Sequence, residues 1–214
     1  MSAQGPYKIT EEFEEIVARY TGAPFAIAVD CMSNALFMAL TYYKMNNLSS
    51  GAGMDIISIP SHTYPSVPCE IMHAGFKVRF ISQDHDTLTG PYQLQNTNIW
   101  DYALRFTSGM YVAGTTQCLS FTGPKKALKL GKGGMILTDD PKAQQWYKKA
   151  RFSGRDECSY LDDDFDKDAI IGWNFYMMPE VATRGLLLMS DFPEHNKDLT
   201  IKYPDLSRFR CFQT

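Results

Sequence analysis

The residues best suited to chemistry lie in the second half of the chain. Ser120–Lys126 reads Ser-Phe-Thr-Gly-Pro-Lys-Lys. Gly131–Thr138 begins with Gly-Lys-Gly-Gly and continues with apolar residues typical of a strand, so the chain is expected to turn back between the two segments. Gly123-Pro124 restricts the backbone just before Lys125, because proline locks its own φ and limits the residue before it. A lysine held in this way can be desolvated and can bond to an aldehyde carbon. Taken alone, a segment with several lysines is more often a solvated loop.

A second candidate site lies where a strand runs into a helix. Phe25–Val29 is an almost continuous apolar run, which is typical of a strand buried on both faces. Ser33 and Asn34 are good N-cap residues, so a helix is predicted from there to about Lys44. The free N–H groups and the positive end of the helix dipole make such a terminus an anion site. An ordinary strand-to-helix turn with a serine cap remains the alternative.

These two sites are embedded in a regular alternation of predicted elements. Further strands are predicted at residues 55–60, 77–81, 98–101 and 117–121, with a short helix ending near Ala74. Strands that alternate with helices at this spacing indicate βαβ units. The predicted fold class is therefore α/β, with a mostly parallel sheet flanked by helices. Asp101 ends one of these strands with a carboxylate.

Helices are also predicted at both ends of this unit. Thr10 is expected to cap the first helix and Gly22 to end it, with Phe13 and Val17 at helical spacing. The acidic residues of this helix are expected to form a solvated face. The last helix is predicted over Pro179–Asp191.

The order of these motifs resembles the DegT/DnrJ/StrS family of sugar aminotransferases, which are fold-type-I enzymes that use pyridoxal phosphate. The resemblance covers most of residues 10 to 190, and the lysine segment is its most specific part. The motifs that match are Cys31–Leu36, Pro60–Tyr64, Asp101, Ser120–Thr138 and Gly172–Phe175.

The resemblance implies roles for three residues around the cofactor ring. Lys125 would hold pyridoxal phosphate as a Schiff base and then move the proton of the substrate. Asp101 would face the pyridine nitrogen and keep it protonated, which makes the ring an electron sink. Tyr64 would stack on the ring. The alternatives are that Asp101 is a plain strand-end carboxylate and that Tyr64 is a core aromatic.

The resemblance also implies how the phosphate is held. The backbone amides of Met32 and Ser33, with the hydroxyls of Ser33 and Ser120, would bind it. Asn174 would reach the phosphate of the other subunit, so a homodimer with shared active sites is expected. Asn174 could instead be a simple turn residue.

The function predicted from this resemblance is transfer of an amino group from an amino acid such as glutamate to a keto sugar carried by a nucleotide. One alternative is a non-catalytic protein of the same descent that binds pyridoxal phosphate or acts as a scaffold. Another is a pyridoxal-phosphate enzyme of a different reaction type, such as elimination or dehydration. Lys125 weighs against the dehydratase branch of the family, which has histidine at this position.

The chain also departs from the family pattern. It is shorter than family members, with an abrupt connection at Thr89–Asn98 where part of the sheet is expected. The small C-terminal domain is expected to be absent, which leaves a cofactor-binding domain at residues 1–192 and a short tail at residues 193–214. Where the family has a polar residue that contacts the cofactor, this chain has Leu104. Where the family has an arginine after the Asn-aromatic pair, this chain has Tyr176.

Composition excludes several other classes of protein. A formal net charge of −3 gives no argument for nucleic acid or an anionic membrane as a partner. No apolar run is long enough for a membrane span, and no signal peptide is expected from the first residues. The histidines lack metal-ligand spacing, so no metal is predicted. An odd number of scattered cysteines favours reduced thiols and a cytoplasmic location. These are Cys31, Cys69, Cys118, Cys158 and Cys211.

Overall fold

The computed structural model describes residues 7–47, 55–123, 128–156 and 168–213. Its helices are α1 (Lys8–Thr21), α2 (Met32–Asn47), α3 (Ser66–His73), α4 (Pro141–Ala150) and α5 (Pro179–Met189). Its strands are β1 (Phe25–Val29), β2 (Ile56–Pro60), β3 (Lys77–Ile81), β4 (Thr87–Thr89), β5 (Tyr92–Gln93), β6 (Ile99–Asp101), β7 (Thr116–Ser120), β8 (Gly134–Thr138) and β9 (Thr200–Lys202). Two short 3-10 helices follow at Leu206–Arg208 and Arg210–Phe212.

The strands form one main sheet and two smaller ones. The main sheet has the order β1-β8-β7-β6-β5, while β2 pairs with β3 and β4 pairs with β9. β6 and β7 are parallel, as are β2 and β3, whereas β8 is antiparallel to both of its neighbours. Because β8 separates them, β1 and β7 run in the same direction. The predicted α/β class is confirmed, with β5 and β8 as the reversed strands of the main sheet.

The connection at Thr89–Asn98 joins the main sheet to the β2–β3 pair. Tyr92 of β5 pairs with Asp101 of β6, and the amide of Gln95 donates to the carbonyl of Ser58 at 3.0 Å. The place where part of the family sheet was expected is thus occupied by a short antiparallel segment that contacts both sheets.

Helices cover both faces of the main sheet. Ile27 and Val29 pack with α2, α3 and α4 on one face, and Ala26 and Ala28 pack with α1 and α5 on the other. Because neighbouring side chains of a strand point to opposite faces, a strand with a core on each side must be apolar at every position. This arrangement explains the unbroken apolar run of β1.

The helix starts differ from the predicted ones. α1 begins at Lys8, so Thr10 lies within its first turn and is buried rather than capping the helix. Gly22 ends α1 as predicted, with a φ of 77° that favours glycine. α2 begins at Met32, so Ser33 and Asn34 lie in its first turn instead of at the N-cap.

The acidic face of α1 is not fully solvated, contrary to prediction. Glu14 is buried and pairs with the buried guanidinium of Arg151, at the end of α4. The Glu14 carboxylate also accepts from the amide of Ala28 at 2.8 Å, and Arg151 donates to the Ala28 carbonyl at 2.7 Å. This ion pair therefore connects α1, α4 and β1 just before the start of α2.

The C-terminal segment, residues 198–213, packs against the rest of the fold. β9 pairs with β4, and Leu206 is fully buried. The amide of Leu206 donates to the carbonyl of Ser61 at 2.9 Å, and the amide of Leu199 donates to that of Leu104 at 2.9 Å. The division into a domain at 1–192 and a tail at 193–214 stays a prediction.

Candidate active site

A cavity of about 540 Å³ opens where α2, β6 and β7 meet. Its volume is in the range of small-molecule sites. One set of lining residues, here called the glycine group, consists of Met32, Ser33, Ser120, Thr122, Gly123, Gly131 and Lys132. A second set, here called the aromatic group, consists of Thr63, Tyr64, Leu88, Asp101, Leu104 and Tyr203. Cys31, Leu36, Ser66, Val67 and Ala103 complete the lining.

The glycine group is built on the ends of β7 and β8. The amide of Phe121 donates to the carbonyl of Gly133 at 3.0 Å, and Thr122 forms a β-bridge with Gly131. Gly123 and Gly131 have φ values of 86° and 85°, a conformation that glycine adopts without strain. The residues after β7 and before β8 therefore stay bonded to each other up to the edge of the cavity, although the Thr122–Gly131 bridge is parallel and does not extend the antiparallel ladder.

Gly134 allows the start of α2 to lie directly on β8. A Cβ atom at Gly134 would come within 2.6 Å of the carbonyl carbon of Cys31 and of the amide nitrogen of Met32. Real Cβ contacts with backbone are never so short, so the close approach requires a glycine at this position. The N-terminus of α2 is thereby fixed beside Ser120, which pairs with Gly134 in the β7–β8 ladder.

Polar groups surround the first turn of α2. Ser33 Oγ donates to Ser66 Oγ at 2.8 Å, which links α2 to the start of α3. Asn34 Nδ2 donates to Asp30 Oδ1 at 2.7 Å, and Lys132 Nζ lies 3.3 Å from Asp30 Oδ2. A helix N-terminus with a serine and a neighbouring ammonium group is suited to an anion such as a phosphate.

Asp101 lies at the end of β6 and is 4% exposed. Its Oδ1 accepts from the amide of Ala103 at 2.8 Å. Tyr92 faces it across the β5–β6 ladder, and the Tyr92 hydroxyl lies 2.7 Å from Thr63 Oγ1. Burial and the nearby Asp101 carboxylate raise the pKa of Tyr92 well above its ordinary value, so this phenol stays neutral. The carboxylate is thus held at the cavity wall beside a neutral hydroxyl.

Two tyrosines face each other at the aromatic group. Tyr64 is 57% exposed, which excludes the alternative that it is a core aromatic. The rings of Tyr64 and Tyr203 lie 6.4 Å apart and meet edge to face at 76°. Burial, Asp101 and Tyr64 raise the pKa of Tyr203 to about 12.

The cavity brings together five of the residues singled out in the sequence, namely Met32, Ser33, Tyr64, Asp101 and Ser120. Lys125 lies outside the described residues, and so do the residues from Cys158 to Lys167. Asn174 is exposed and does not line the cavity. It forms a β-bridge with Phe152, and the rings of its sequence neighbours, Trp173 and Phe175, stack on each other.

Several cavity residues were not predicted as site residues. Thr63 lies within the Pro60–Tyr64 motif, so the sequence could have identified it as a site residue. Lys132 lies in the glycine-rich return and could have been identified in the same way. No local sequence pattern could have identified Tyr203, because it reaches the cavity only through the folding of the C-terminal segment.

Over the described parts of the chain, no cluster of three or more His, Cys, Asp or Glu side chains could hold a metal ion. Nor does any described helix combine the length and apolar character needed to cross a lipid bilayer.

Comparison with known proteins identifies the family. The family model of the DegT/DnrJ/EryC1/StrS aminotransferase family matches residues 2–94 and 109–198. Among curated proteins, none matches the sequence at a significant level. These two results rest on sequence, and the family match spans both groups of cavity residues except Asp101, Leu104 and Tyr203.

Solved structures share the fold at low sequence identity. AtS13 from Actinomadura melliaura is 19% identical with a TM-score of 0.67, and covers 88% of this chain. The aminotransferase PseC from Helicobacter pylori, involved in pseudoaminic acid biosynthesis, is 17% identical with a TM-score of 0.65 and covers 87%. The dehydratase ColD, solved with GDP-perosamine, is 13% identical with a TM-score of 0.65 and also covers 87%.

This chain spans 61%, 58% and 61% of the lengths of these three proteins, respectively. The shared fold therefore covers more than half of each of these three proteins. Because the family model covers most of the sequence and the fold agrees, the chain belongs to the DegT/DnrJ/EryC1/StrS aminotransferase family, whose members depend on pyridoxal phosphate.

Proposed function

We propose that this protein binds pyridoxal phosphate and transfers an amino group from an amino acid such as glutamate to a keto sugar carried by a nucleotide. The observation that carries the proposal is one cavity that holds both an anion-suited helix N-terminus and a buried carboxylate. Ser33 lies in the first turn of α2, and Asp101 lies on the wall of the same cavity. A phosphorylated pyridine needs both features.

The residues of the glycine group fit the phosphate. Met32 and Ser33 offer amides of the first helical turn, and Ser33 and Ser120 offer hydroxyls. The Ser33 hydroxyl, which here donates to Ser66 Oγ, would have to turn toward the phosphate to give four donors in all. Bonds to charged acceptors are about twice as strong as neutral ones, so such a set would form a strong site. The space for this contact depends on Gly134, where any side chain would displace the backbone at Met32.

The residues of the aromatic group fit the ring. Pyridoxal phosphate, when bound, supplies an electron sink that stabilises negative charge at the reacting carbon. Asp101 holds a proton on the ring nitrogen, since a carboxylate favours the charged form of a nearby base. Tyr64, which lines the cavity, would stack on the face of the ring.

Lys125 is the proposed catalytic residue, on the strength of its sequence motif. Its amine would hold the aldehyde carbon of the cofactor and would move the proton of the substrate. Gly123, two positions earlier, lines the cavity.

The proposal is tested by adding pyridoxal phosphate, reducing with borohydride and mapping the modified peptide by mass spectrometry. We expect the pyridoxyl group on Lys125. The matched control is Lys126→Ala, which should still be labelled, whereas Lys125→Ala should not. Labelling of Lys126, or of no lysine, would rule out the assignment.

Assembly is the second part of the proposal. Ile171, Met178 and Leu187 are large apolar side chains with 89%, 57% and 74% exposure. Such exposed surface favours association, and closed symmetric dimers are its usual form. We propose a homodimer in which Asn174 reaches the phosphate bound by the other subunit.

A mixing experiment tests the shared site. Lys125→Ala and Asn174→Ala chains are each expected to be inactive, and the mixture should regain a fraction of normal sites. Light scattering on the cofactor-loaded protein provides the independent measurement, and a monomer with normal cofactor affinity would contradict the dimer.

A non-catalytic cofactor-binding protein is the second candidate. The observation that favours it is Leu104, a buried apolar residue on the cavity wall at the place where the family has a polar contact. Addition of glutamate to the cofactor-loaded protein separates the two, because only the aminotransferase converts the bound cofactor to its amino form.

Dehydration is the third candidate and is favoured by the structural similarity to ColD. Release of water without consumption of an amino donor would identify it. A cytoplasmic location is part of the proposal and is supported by the described cysteines, all of which are free thiols.

A further inference from the structure

The C-terminal segment is attached to the wall of the cavity at several points. Arg105 and Asp198 form a two-pronged ion pair, with N–O distances of 2.8 and 2.6 Å. Thr87–Thr89 pairs with Thr200–Lys202 along its whole length. The segment is also bonded to the backbone of Leu104, which lines the cavity. These contacts place Tyr203 at the cavity rather than in solvent.

The backbone of Tyr203 is fixed on both sides. Its amide donates to the carbonyl of Asp86 at 2.9 Å, and its carbonyl accepts from His62 Nδ1 at 2.8 Å. His62 directly precedes Thr63 and Tyr64, and it also forms a β-bridge with Asp205. Because both of its peptide groups are held, the backbone of Tyr203 is fixed at the edge of the cavity.

The ring of Tyr203 closes one side of the aromatic group. It meets Tyr64 edge to face and lines the cavity with Leu88 and Leu104. Leu88 and Leu104 are 8% and 2% exposed, so this side of the cavity has an apolar wall. The phenol stays protonated at neutral pH, since burial and Asp101 raise its pKa to about 12. Tyr203 therefore lines the same cavity as the Asp101 carboxylate and adds no second negative charge to it.

We infer that Tyr203 is a positioning residue of the cofactor site, whose ring supports Tyr64 and shields Asp101 from water. The inference rests on the proposed function, because it assigns Tyr203 to the same pyridoxal-phosphate site. Shielding strengthens the attraction between a carboxylate and a protonated ring nitrogen, because screening by water is reduced. The C-terminal segment is thus a part of the site and not an appendage.

Binding of pyridoxal phosphate to four proteins tests the inference, with affinity from absorbance titration and ring order from induced circular dichroism. Tyr203→Ala should weaken binding at least tenfold and remove most of the induced signal. Tyr203→Phe keeps the ring and should stay within twofold of the wild type. Phe209→Ala removes an exposed ring of the same segment that does not line the cavity, and it should also stay within twofold.

A cofactor-free measurement makes the test independent of turnover. The amide of Ala103 donates to Asp101 Oδ1, so its hydrogen exchange reports on access of water to that carboxylate. Exchange should rise at least fivefold in Tyr203→Ala and remain unchanged in Tyr203→Phe. If thermal unfolding shows that Tyr203→Ala does not fold, Tyr203→Leu replaces it, with loss of the induced signal expected.

The outcomes separate the two proposals. Wild-type protein that binds no pyridoxal phosphate overturns the proposed function. Wild-type protein that binds it, together with unchanged affinity and exchange in Tyr203→Ala, overturns only the role of Tyr203. A Tyr203→Phe variant as weak as Tyr203→Ala also overturns it, because the hydroxyl and not the ring would then be the important group.

Discussion

The glycine group and the aromatic group line one cavity but are built in different ways. The glycine group lies at the ends of β7 and β8 and at the start of α2, within the main sheet and next to a buried ion pair. The aromatic group is assembled from short strands and loops that are far apart in the chain, from Thr63 to Tyr203. The proposed phosphate site is thus carried by the main sheet and its core, whereas the proposed ring site depends on long-range contacts near the surface.

The largest expected effect tests the glycine group as an anion site. Ser33→Ala with Ser120→Ala should weaken binding of pyridoxal phosphate by about 3 kcal/mol or more, because each hydrogen bond to a charged group contributes about 1.5–3 kcal/mol. Isothermal titration measures the loss. Ser108→Ala with Ser190→Ala is the control pair outside the cavity and should bind normally. Equal affinity in both double variants would refute the phosphate site.

The next prediction concerns the support of the glycine group. Glu14→Ala leaves the buried Arg151 guanidinium without its carboxylate, and such a change costs about 3–5 kcal/mol of folding free energy. Urea unfolding measures this cost. The neighbouring Glu15 is exposed, so Glu15→Ala should change the unfolding free energy by less than about 0.5 kcal/mol. Similar losses in the two variants would show that the ion pair does not support β1.

A smaller effect is expected from the close approach at Gly134. Gly134→Ala should destabilise the fold by about 1–3 kcal/mol and also weaken binding of pyridoxal phosphate, because the start of α2 must shift. Gly114→Ala is the control, since its φ of 77° brings strain but its Cβ meets no atom within 4 Å. The free energy of unfolding should fall in both variants, whereas the affinity for pyridoxal phosphate should fall only in Gly134→Ala. Normal affinity in Gly134→Ala would contradict the close fit.

The smallest expected effect is a difference in acid stability between the C-terminal segment, which carries Tyr203 of the aromatic group, and the main sheet, which carries the glycine group. Hydrogen bonds from Lys202 and from Ser207 lower the pKa of Asp86 and of Asp205, respectively, below the ordinary value of 3.8. A carboxyl group with a lowered pKa stabilises the folded state above its ordinary pKa, and this contribution is lost as the pH falls through the lowered value. Below about pH 4, the C-terminal segment should therefore loosen before the main sheet.

Hydrogen exchange measures this difference. Protection of the amides of Tyr203 and Leu206 should fall between pH 6 and pH 3 by more than that of Phe121, which is bonded within the main sheet. The double variant Asp86→Asn, Asp205→Asn should lose this pH dependence. A uniform loss of protection over all three amides would show that the two groups do not differ in acid stability.

Local patterns predicted the bounds of two strands correctly. The residues Phe25–Val29 and Lys77–Ile81 form strands with the predicted bounds. Helix starts were less accurate, because Ser33 and Asn34 bond to Ser66 and Asp30 instead of capping α2. α4 was not predicted, although Asp140 caps it and Pro141 begins it.

The aromatic group was predicted only in part. Tyr64 and Asp101 lie in motifs with local spacing, and both line the cavity. Tyr203 was not predicted, because its position depends on the pairing of β9 with β4. Tyr92, which lies outside the group and faces Asp101, was not predicted either, because its position depends on the pairing of β5 with β6. Strands of two or three residues leave little periodicity in the sequence, so such pairings carry no local signal.

The sequence by itself determined the fold class, the family and the motifs that supply the proposed phosphate site. These features depend on apolar periodicity, on glycines with special backbone angles and on residues close together in the chain. Only the tertiary structure decided that Glu14 is buried with Arg151 and that Tyr203 faces Tyr64. Both pairs join residues more than a hundred positions apart. Their contacts follow from the packing of whole elements, which no local pattern of residues specifies.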